Sequence, residues 1–239
     1  MFSSTDRAGR VDLAFTDRHG GVSAPPYASL NLGRSIGDSP SAVDRNLELV
    51  ASAFGASASQ ITLMDQVHSG DVAVIDGPRD PRPRADAMVT ASPEVVLCVR
   101  AADCVPVLLA DPEAAVIGCA HSGRLGMTAG VVPNVVDQMR ALGATNITAW
   151  IGPHVCGSCY EVPANMRAEV VVAVPESFAE TSWGTPALDV GAGVRAQLLA
   201  TGCTVVDRAR CTLEDPDLYS YRREGRASGR LGGLIRVRP

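Results

Sequence analysis

The chain has no GxGxxG and no P-loop pattern, so dinucleotide and ATP binding are not indicated. A GxSxG nucleophile elbow is also absent. No stretch approaches the length of an apolar membrane span, and the N-terminal MFSSTDRAGR lacks an apolar core of signal-peptide length. The expected location is therefore the cytoplasm, with no membrane partner. Basic residues form no block and the formal net charge is -5, so the broad positive field that attracts nucleic acid is missing. Histidine is scarce, with four in 239 residues. Internal repeats and low-complexity linkers are absent as well.

What remains is an ordinary globular composition, 46% hydrophobic and 20% charged, which is wrong for a disordered chain. The length suits one large or two small domains, and the interweaving of elements along the chain predicts a single domain over residues 1–239. Seven cysteines is an odd number, and several sit inside apolar runs. That fits reduced thiols better than a disulfide framework.

Glycine and proline punctuate the first segment up to Gly37, which reads as loops around short strands. Asp38-Ser39-Pro40 opens a helix that continues through Val43, Leu47, Val50 and Phe54 to a stop at Gly55. Ile61 to Met64 and Val72 to Ile75 read as strands flanking QVHSG. Residues 78 to 84 contain too many prolines for a regular element and predict an exposed loop. Val95 to Val99, Val105 to Leu109 and Val116 to Ala120 are short, apolar, Val-rich runs bounded by turn residues, hence buried strands. Helices are expected over Gly130 to Leu142, Asn165 to Val174 and Val190 to Ala200, the last capped by Asp189. Strands are expected at Ile147 to Ile151, Val205-Val206 and Leu234 to Val237. Strands and helices mix without a regular βαβ period, which favours an α+β fold with mixed sheets over a doubly wound parallel one.

Three residues carry the chemistry: His68 in DQVHSG, Cys104 in ADCVP and His121 in CAHSG. Imidazole and thiolate suit Zn²⁺, and three protein ligands leave a fourth position for water or substrate. Cys104 falls near the start of one expected strand and His121 at the end of the next, where packed strands hold ligands rigidly over a cleft. Taken singly, each has a plainer reading: a buried structural cysteine or a hydrogen-bonded histidine. A second chemistry uses the same residues, with Cys104 as the nucleophile of a hydrolase and His121 or His68 as its base.

FTDRHGGVSAPPYASLNLG, MDQVHSG, ADAMVT, ADCVPVLL, AHSGRLG, IGPHVCGSCYEV and CTLEDPDLYSYRREGRASGR occur in the order seen in the YfiH-like family. That family is also called the laccase-domain or multicopper polyphenol oxidoreductase family. The resemblance runs from about Phe15 to Ile235. It implies four layers, two mixed β-sheets packed face to face with helices outside. It implies a zinc-dependent purine nucleoside enzyme, with phosphorolysis of adenosine, inosine and methylthioadenosine and deamination of adenosine. It also implies His68, Cys104 and His121 as the metal ligands. The family's older name suggests copper oxidase chemistry, but four histidines are too few for several copper centres. Zn²⁺ is therefore expected rather than copper.

The chain departs from the commoner H-A-G-W-R-G pattern: its His121-Ser122-Gly123-Arg124-Leu125-Gly126 moves the arginine by one residue. That departure keeps a binding protein with a degenerate site among the alternatives. The IGPHVCGSCYEV segment has an altered cysteine pattern but keeps Tyr160 and Glu161.

Purine nucleoside and phosphate are the expected partners. For deamination, a zinc-activated water would attack C6 of adenine, with Asp103 or Glu161 moving protons. For phosphorolysis, Arg18 and Arg124 are the candidate phosphate ligands. Asn31 and Gln66 offer amides for ribose or base edges, and Tyr160 can stack. Arg222, Arg223, Arg226 and Arg230 form either a phosphate-contacting or a solvated loop. The CxxC at Cys156 and Cys159 has no second CxxC, so a zinc knuckle would need Cys98, Cys119, Cys203 or Cys211 as partner; the expectation is a Gly-bent loop beside the site, neither a disulfide nor a zinc knuckle.

Overall fold

A computed structural model describes residues 1–34, 36–78 and 82–238 of the protein. Alternate residues of its central strands face different cores. Leu13 and Phe15 face one cluster and Ala14 another, as do Leu97 and Val99 against Val96 and Cys98. Leu108 and Ala110 share the first cluster, while Val107 and Leu109 face a third. Side chains alternate along a strand, so a strand apolar on both faces must be covered on both.

In chain order the strands are β1 (Phe2–Ala8), β2 (Val11–Thr16), β3 (Ile61–Thr62), β4 (Val72–Val74), β5 (Ala87–Thr90), β6 (Val96–Ala101) and β7 (Val105–Asp111). Then follow β8 (Val116–Ser122), β9 (Thr148–Ile151), β10 (Phe178–Glu180), β11 (Pro186–Leu188), β12 (Thr204–Asp207) and β13 (Leu231–Val237). The helices are α1 (Pro40–Ala53), α2 (Arg124–Thr128), α3 (Val131–Ala141), α4 (Ala164–Ala173), α5 (Val190–Ala200) and α6 (Tyr221–Glu224).

One sheet runs β1-β2-β13-β6-β3 and a second β12-β9-β7-β8-β5-β4, with β10-β11 a separate hairpin. The pairs β3/β6, β4/β5 and β9/β12 are parallel and the other strand pairs antiparallel. Helix α1 lays Val43, Leu47 and Val50 on the outer face of the first sheet, against Ala14, Val96 and Leu234. Helices α3 and α5 cover the outer face of the second with Val131, Val135, Met139, Val194 and Leu198. The inter-sheet core joins Leu13, Phe15, Leu97 and Ile235 to Met88, Leu108, Ile117 and Trp150. The mixed sheets of an α+β fold are what the sequence pattern favours, and the order helix, sheet, sheet, helix is the four-layer arrangement that the family resemblance implies.

Local signals hold where expected. Asp189 caps α5 by accepting from the Ala192 N–H at 2.7 Å. Pro40 occupies the first turn of α1. Several elements go beyond the sequence expectation, among them β10, β11 and α6. The four residues of β5 carry no visible alternation because both faces are buried. Strand β13 begins three residues earlier than expected, through Gly232 and Gly233, a pair that argues against a strand. A Cβ on Gly232 would lie 2.6 Å from Leu32 Cδ1, so the glycine serves close packing. Helix α2 starts immediately after the His121 segment. The expected loop at 78 to 84 falls partly on residues 79–81, outside the described residues. Among the described residues no helix is long and apolar enough to cross a membrane.

Candidate active site

Cys104 precedes β7 and His121 is the penultimate residue of β8, opposite Pro106 in register. Alternation puts His121 on the same side of the sheet as Cys119, the inter-sheet side, at the sandwich edge. His68 comes from the β3–β4 connection. Its φ is 61°, and that of Asp103 is 83°. Left-handed backbone at a residue other than glycine is uncommon and persists where surrounding contacts impose it. At His68 the imposing group is Asp86, just before β5. Its Oδ2 accepts from the Val67 N–H at 3.0 Å and the Ser69 N–H at 2.7 Å, gripping the loop on both sides of His68.

The three side chains converge. One donor atom from each of His68, Cys104 and His121 lies within 4.8 Å of the others, and Cys104 Sγ is 3.8 Å from His68 Nε2. The two imidazoles meet edge to face, with centroids 4.8 Å apart. Nδ1 of His121 is 2.9 Å from Asp86 Oδ1, which leaves Nε2 for a ligand. A carboxylate behind a histidine in this way fixes ring and tautomer for a metal. Tetrahedral zinc with ordinary Zn–N and Zn–S bonds places its ligand atoms about 3.3–3.8 Å apart, so the donor set fits one ion. Gly123 leaves the room: a Cβ there would lie 2.8 Å from Cys104 Sγ and 2.9 Å from His68 Cδ2.

Charge follows the geometry. Burial raises the Asp86 carboxyl, but the bonds from His121, Ser69 and Val67 outweigh it and bring the pKa to about 2. Burial also disfavours the Cys104 thiolate, yet His121 and then His68 pull the thiol down to about 6. Burial lowers the His121 pKa, while the Cys104 thiolate and Asp86 more than reverse that. The site thus stabilises a thiolate beside a cation, and a divalent metal would take the place of the His121 proton.

The cluster opens into a cavity of about 950 Å³, within the size range of small-molecule sites. Gln66, Asp103, Arg124 and Tyr160 line it. The Gln66 amide pairs with the Arg100 backbone, donating to its carbonyl at 2.7 Å and accepting its N–H at 3.0 Å. One N–H and one lone pair remain. The Asp103 carboxylate accepts from Thr212 Oγ1 and the Arg222 N–H, both at 2.6 Å. Arg124 opens α2 and faces the cavity, while Leu125 is 49% exposed. Arg222 also lines the cavity and lies over the Tyr160 ring, 4.9 Å from its centroid. Burial raises the Tyr160 phenol.

Three expected site residues lie elsewhere. Arg18 pairs with Glu224 at 2.6 Å and covers the Tyr219 ring. Asn31 is fully buried, and its amide is consumed by Gly33, Asp38 and the Arg230 N–H. Glu161 is exposed and accepts from Trp183 Nε1. Tyr160 and Glu161 are neighbours in extended chain, so they point apart. Asp86 was not singled out from the sequence, although it lies inside ADAMVT. A carboxylate in an apolar run is the signal that would have found it, because burial demands partners.

The CxxC has partners after all. Sγ of Cys156, Cys159 and Cys211 and a Glu214 carboxylate oxygen lie within 4.8 Å of one another. Of the four cysteines that could partner the pair, the structure brings Cys211 beside it, together with Glu214, so Cys211-Thr212-Leu213-Glu214 supplies two donors with the same spacing as the CxxC. All seven cysteines are free.

Residues 12–238 match the family described as multi-copper polyphenol oxidoreductase laccase. A Streptomyces coelicolor protein named purine nucleoside phosphorylase is 52% identical over 98% of this chain and 99% of its own length. The Escherichia coli purine nucleoside phosphorylase YfiH is 36% identical over 94% and 93%. Among solved structures, a Neisseria meningitidis protein superposes with a TM-score of 0.88 at 32% identity, covering 99% of both chains. YlmD from Geobacillus stearothermophilus gives 0.85 at 30%, covering 96% and 93%.

Proposed function

The chain belongs to the multi-copper polyphenol oxidoreductase laccase family, and from that premise we propose that it is a zinc-dependent purine nucleoside phosphorylase. Adenosine, inosine and methylthioadenosine are the proposed substrates, with deamination of adenosine as a second activity. One observation carries the reading. A His, Cys, His donor set shares its cavity with Arg124 and Arg222, and among the described residues neither guanidinium has a carboxylate partner. Unpaired guanidiniums in a pocket suit an oxyanion.

His68, Cys104 and His121 would hold the zinc. When bound, zinc supplies Lewis acidity that draws off charge gathering on the departing purine. Arg124 and Arg222 hold phosphate, whose oxygen bonds to C1′ as the C1′–N9 pair leaves with the base. Gln66 offers its remaining N–H and lone pair to a base or ribose edge, and Tyr160 supplies a stacking face. In deamination Asp103 moves the protons, because Glu161 faces away. Only two of the four histidines reach the cluster: His19 pairs with Asp217 at the surface and His154 with the Gly152 carbonyl. That supports zinc over a set of copper centres. Residues from Val11 to Val237 share the inter-sheet core, which supports one domain over 1–239. The proposed location is the cytoplasm, where free thiols stay reduced.

The test is a panel of the three nucleosides with and without phosphate, read by chromatography. Release of free base that requires phosphate is expected, with inosine forming from adenosine independently of phosphate. Base release indifferent to phosphate would overturn the phosphorylase reading. A second reading has its own support: Cys104, His121 and Asp86 form a nucleophile–base–carboxylate series with a lowered thiol pKa. Zinc content separates the two, since a cysteine hydrolase needs none.

Gly123→Ala tests the fit of the ligand set. Its φ of -81° suits alanine, so the strain falls on Cys104 and His68 rather than on the backbone. Overpacking of about 1–3 kcal/mol directed at the ligands would weaken zinc roughly 10- to 100-fold. Chelator competition measures the affinity, and an unchanged value would mean that the ion is not held between these side chains.

A further inference from the structure

We propose that Cys156, Cys159, Cys211 and Glu214 form a second, structural zinc site, separate from the site in the cavity. Four donor atoms within 4.8 Å of one another surround a single position. Tetrahedral zinc with thiolate ligands needs sulfurs about 3.8 Å apart, so closing on the ion requires shifts of an ångström or less. Three thiolates and a carboxylate complete four-coordination and leave no open position, the mark of a structural rather than a catalytic site.

The local backbone is shaped for sulfur ligands. Cys156-Gly157-Ser158-Cys159 is a tight turn in which the Cys159 and Tyr160 N–H groups both donate to the Cys156 carbonyl at 3.0 Å. The Cys156 N–H donates to Cys211 Sγ at 3.5 Å. Cys211 is presented by a bridge to His154, with the Thr212 N–H on the His154 carbonyl at 3.0 Å. The surroundings differ from those of Cys98 and Cys119, which are wholly buried among apolar side chains. Cys156 and Cys211 are half-buried on loops, and Glu214 is exposed, so an ion has a route in.

A disulfide would use two of the three sulfurs and leave the third thiol and the carboxylate idle. An ion uses all four, and it joins two loops that wall the nucleoside cavity. Tyr160, which lines the cavity, follows Cys159. Thr212, which follows Cys211, holds the Asp103 carboxylate. Zinc here would fix the loop at 152–163 against the loop at 208–215, and with them the Tyr160 and Asp103 side of the cavity.

The experiment counts zinc per chain in full-length protein purified under reducing conditions, loaded with zinc and desalted. Wild type is expected to hold two equivalents, Cys104→Ser one, the Cys156→Ser/Cys159→Ser pair one, and the triple substitution none. A folded Cys156→Ser/Cys159→Ser protein with as much zinc as wild type would overturn the proposal. If that variant does not fold, cobalt(II) titrated into Cys104→Ser decides. The expected spectrum has tetrahedral bands and strong thiolate-to-metal charge transfer, saturating at one equivalent. Cobalt uptake without thiolate absorption, or no uptake, overturns the second site. Loss of the cavity zinc alone leaves that spectrum intact, so failure of the nucleoside-site reading is told apart from failure of this one.

Discussion

Cys104→Ser is expected to abolish nucleoside cleavage and to strip zinc from the cavity while the chain stays folded. A thiolate is a strong, soft ligand and a serine hydroxyl a poor one. The protein already stabilises that thiolate, with the thiol brought down to about 6 by His121 and His68. The affinity loss should exceed the roughly 10–100-fold that follows from removing a supporting partner of a ligand. Stability should change little. The swap conserves shape, Cys104 is only half-buried, and an unpaired hydroxyl costs at most about 1–3 kcal/mol. Activity alone decides nothing, because a nucleophilic cysteine would also be lost. The deciding measurement is cavity zinc per chain beside the melting temperature. Equal zinc in both proteins, with activity lost only in the variant, would favour a nucleophilic Cys104.

Asp86→Asn should have the next largest effect, although the residue touches no substrate. Its Oδ1 meets His121 Nδ1, and its Oδ2 accepts from the Val67 and Ser69 N–H groups and from Ser69 Oγ. An asparagine must turn its NH₂ toward one side or the other. Toward the loop it opposes two N–H donors, and the grip on His68 fails. Toward His121 it forces the proton onto Nε2, the nitrogen meant for the metal. Zinc affinity should fall roughly 10- to 100-fold in either case.

Asp86 also sets an acid limit. Its folded pKa of about 2 lies below the unfolded value, so its stabilisation is complete above about pH 4. The contribution, about 2 kcal/mol, is lost as pH falls from there toward 2. Melting temperature against pH for metal-free wild type and Asp86→Asn measures this. Parallel curves between pH 5 and 2 would show that Asp86 is not the carboxyl responsible.

Much of this was legible because burial writes itself into the strands. The Val-rich runs before Cys104, after it and before His121 appear as β6, β7 and β8 within a residue or two. They are apolar on both faces, so their period could not say which face met which layer. Strand β5 was hidden for that reason, and β13 because two glycines stand where large neighbours press in. The ligand candidates could be read because His and Cys carry few other roles. Roles for the flanking polar residues could not. Asn31 and Arg18 look as suitable for substrate as Gln66 and Arg124, and only their partners separate them. Asn31 spends its amide on Gly33, Asp38 and Arg230, and Arg18 spends its charge on Glu224.

The sequence by itself determined the fold class, the helix starts at Pro40 and Val190, and the three candidate metal donors. Those properties belong to single residues or short windows: hydrophobic period, a capping carboxylate, the chemistry of imidazole and thiolate. Only the tertiary structure decided which groups share a space. His68 and His121 are 53 positions apart in the chain, yet their rings touch. Asp86 reaches His121 only because β5 pairs with β8. Cys211 and Glu214 join Cys156 and Cys159 only because the chain after β12 runs back beside His154. Distance along a chain does not fix distance in space once strands pair out of sequence order. A site built from side chains on several strand ends is therefore settled by sheet register and loop packing, which no local pattern encodes.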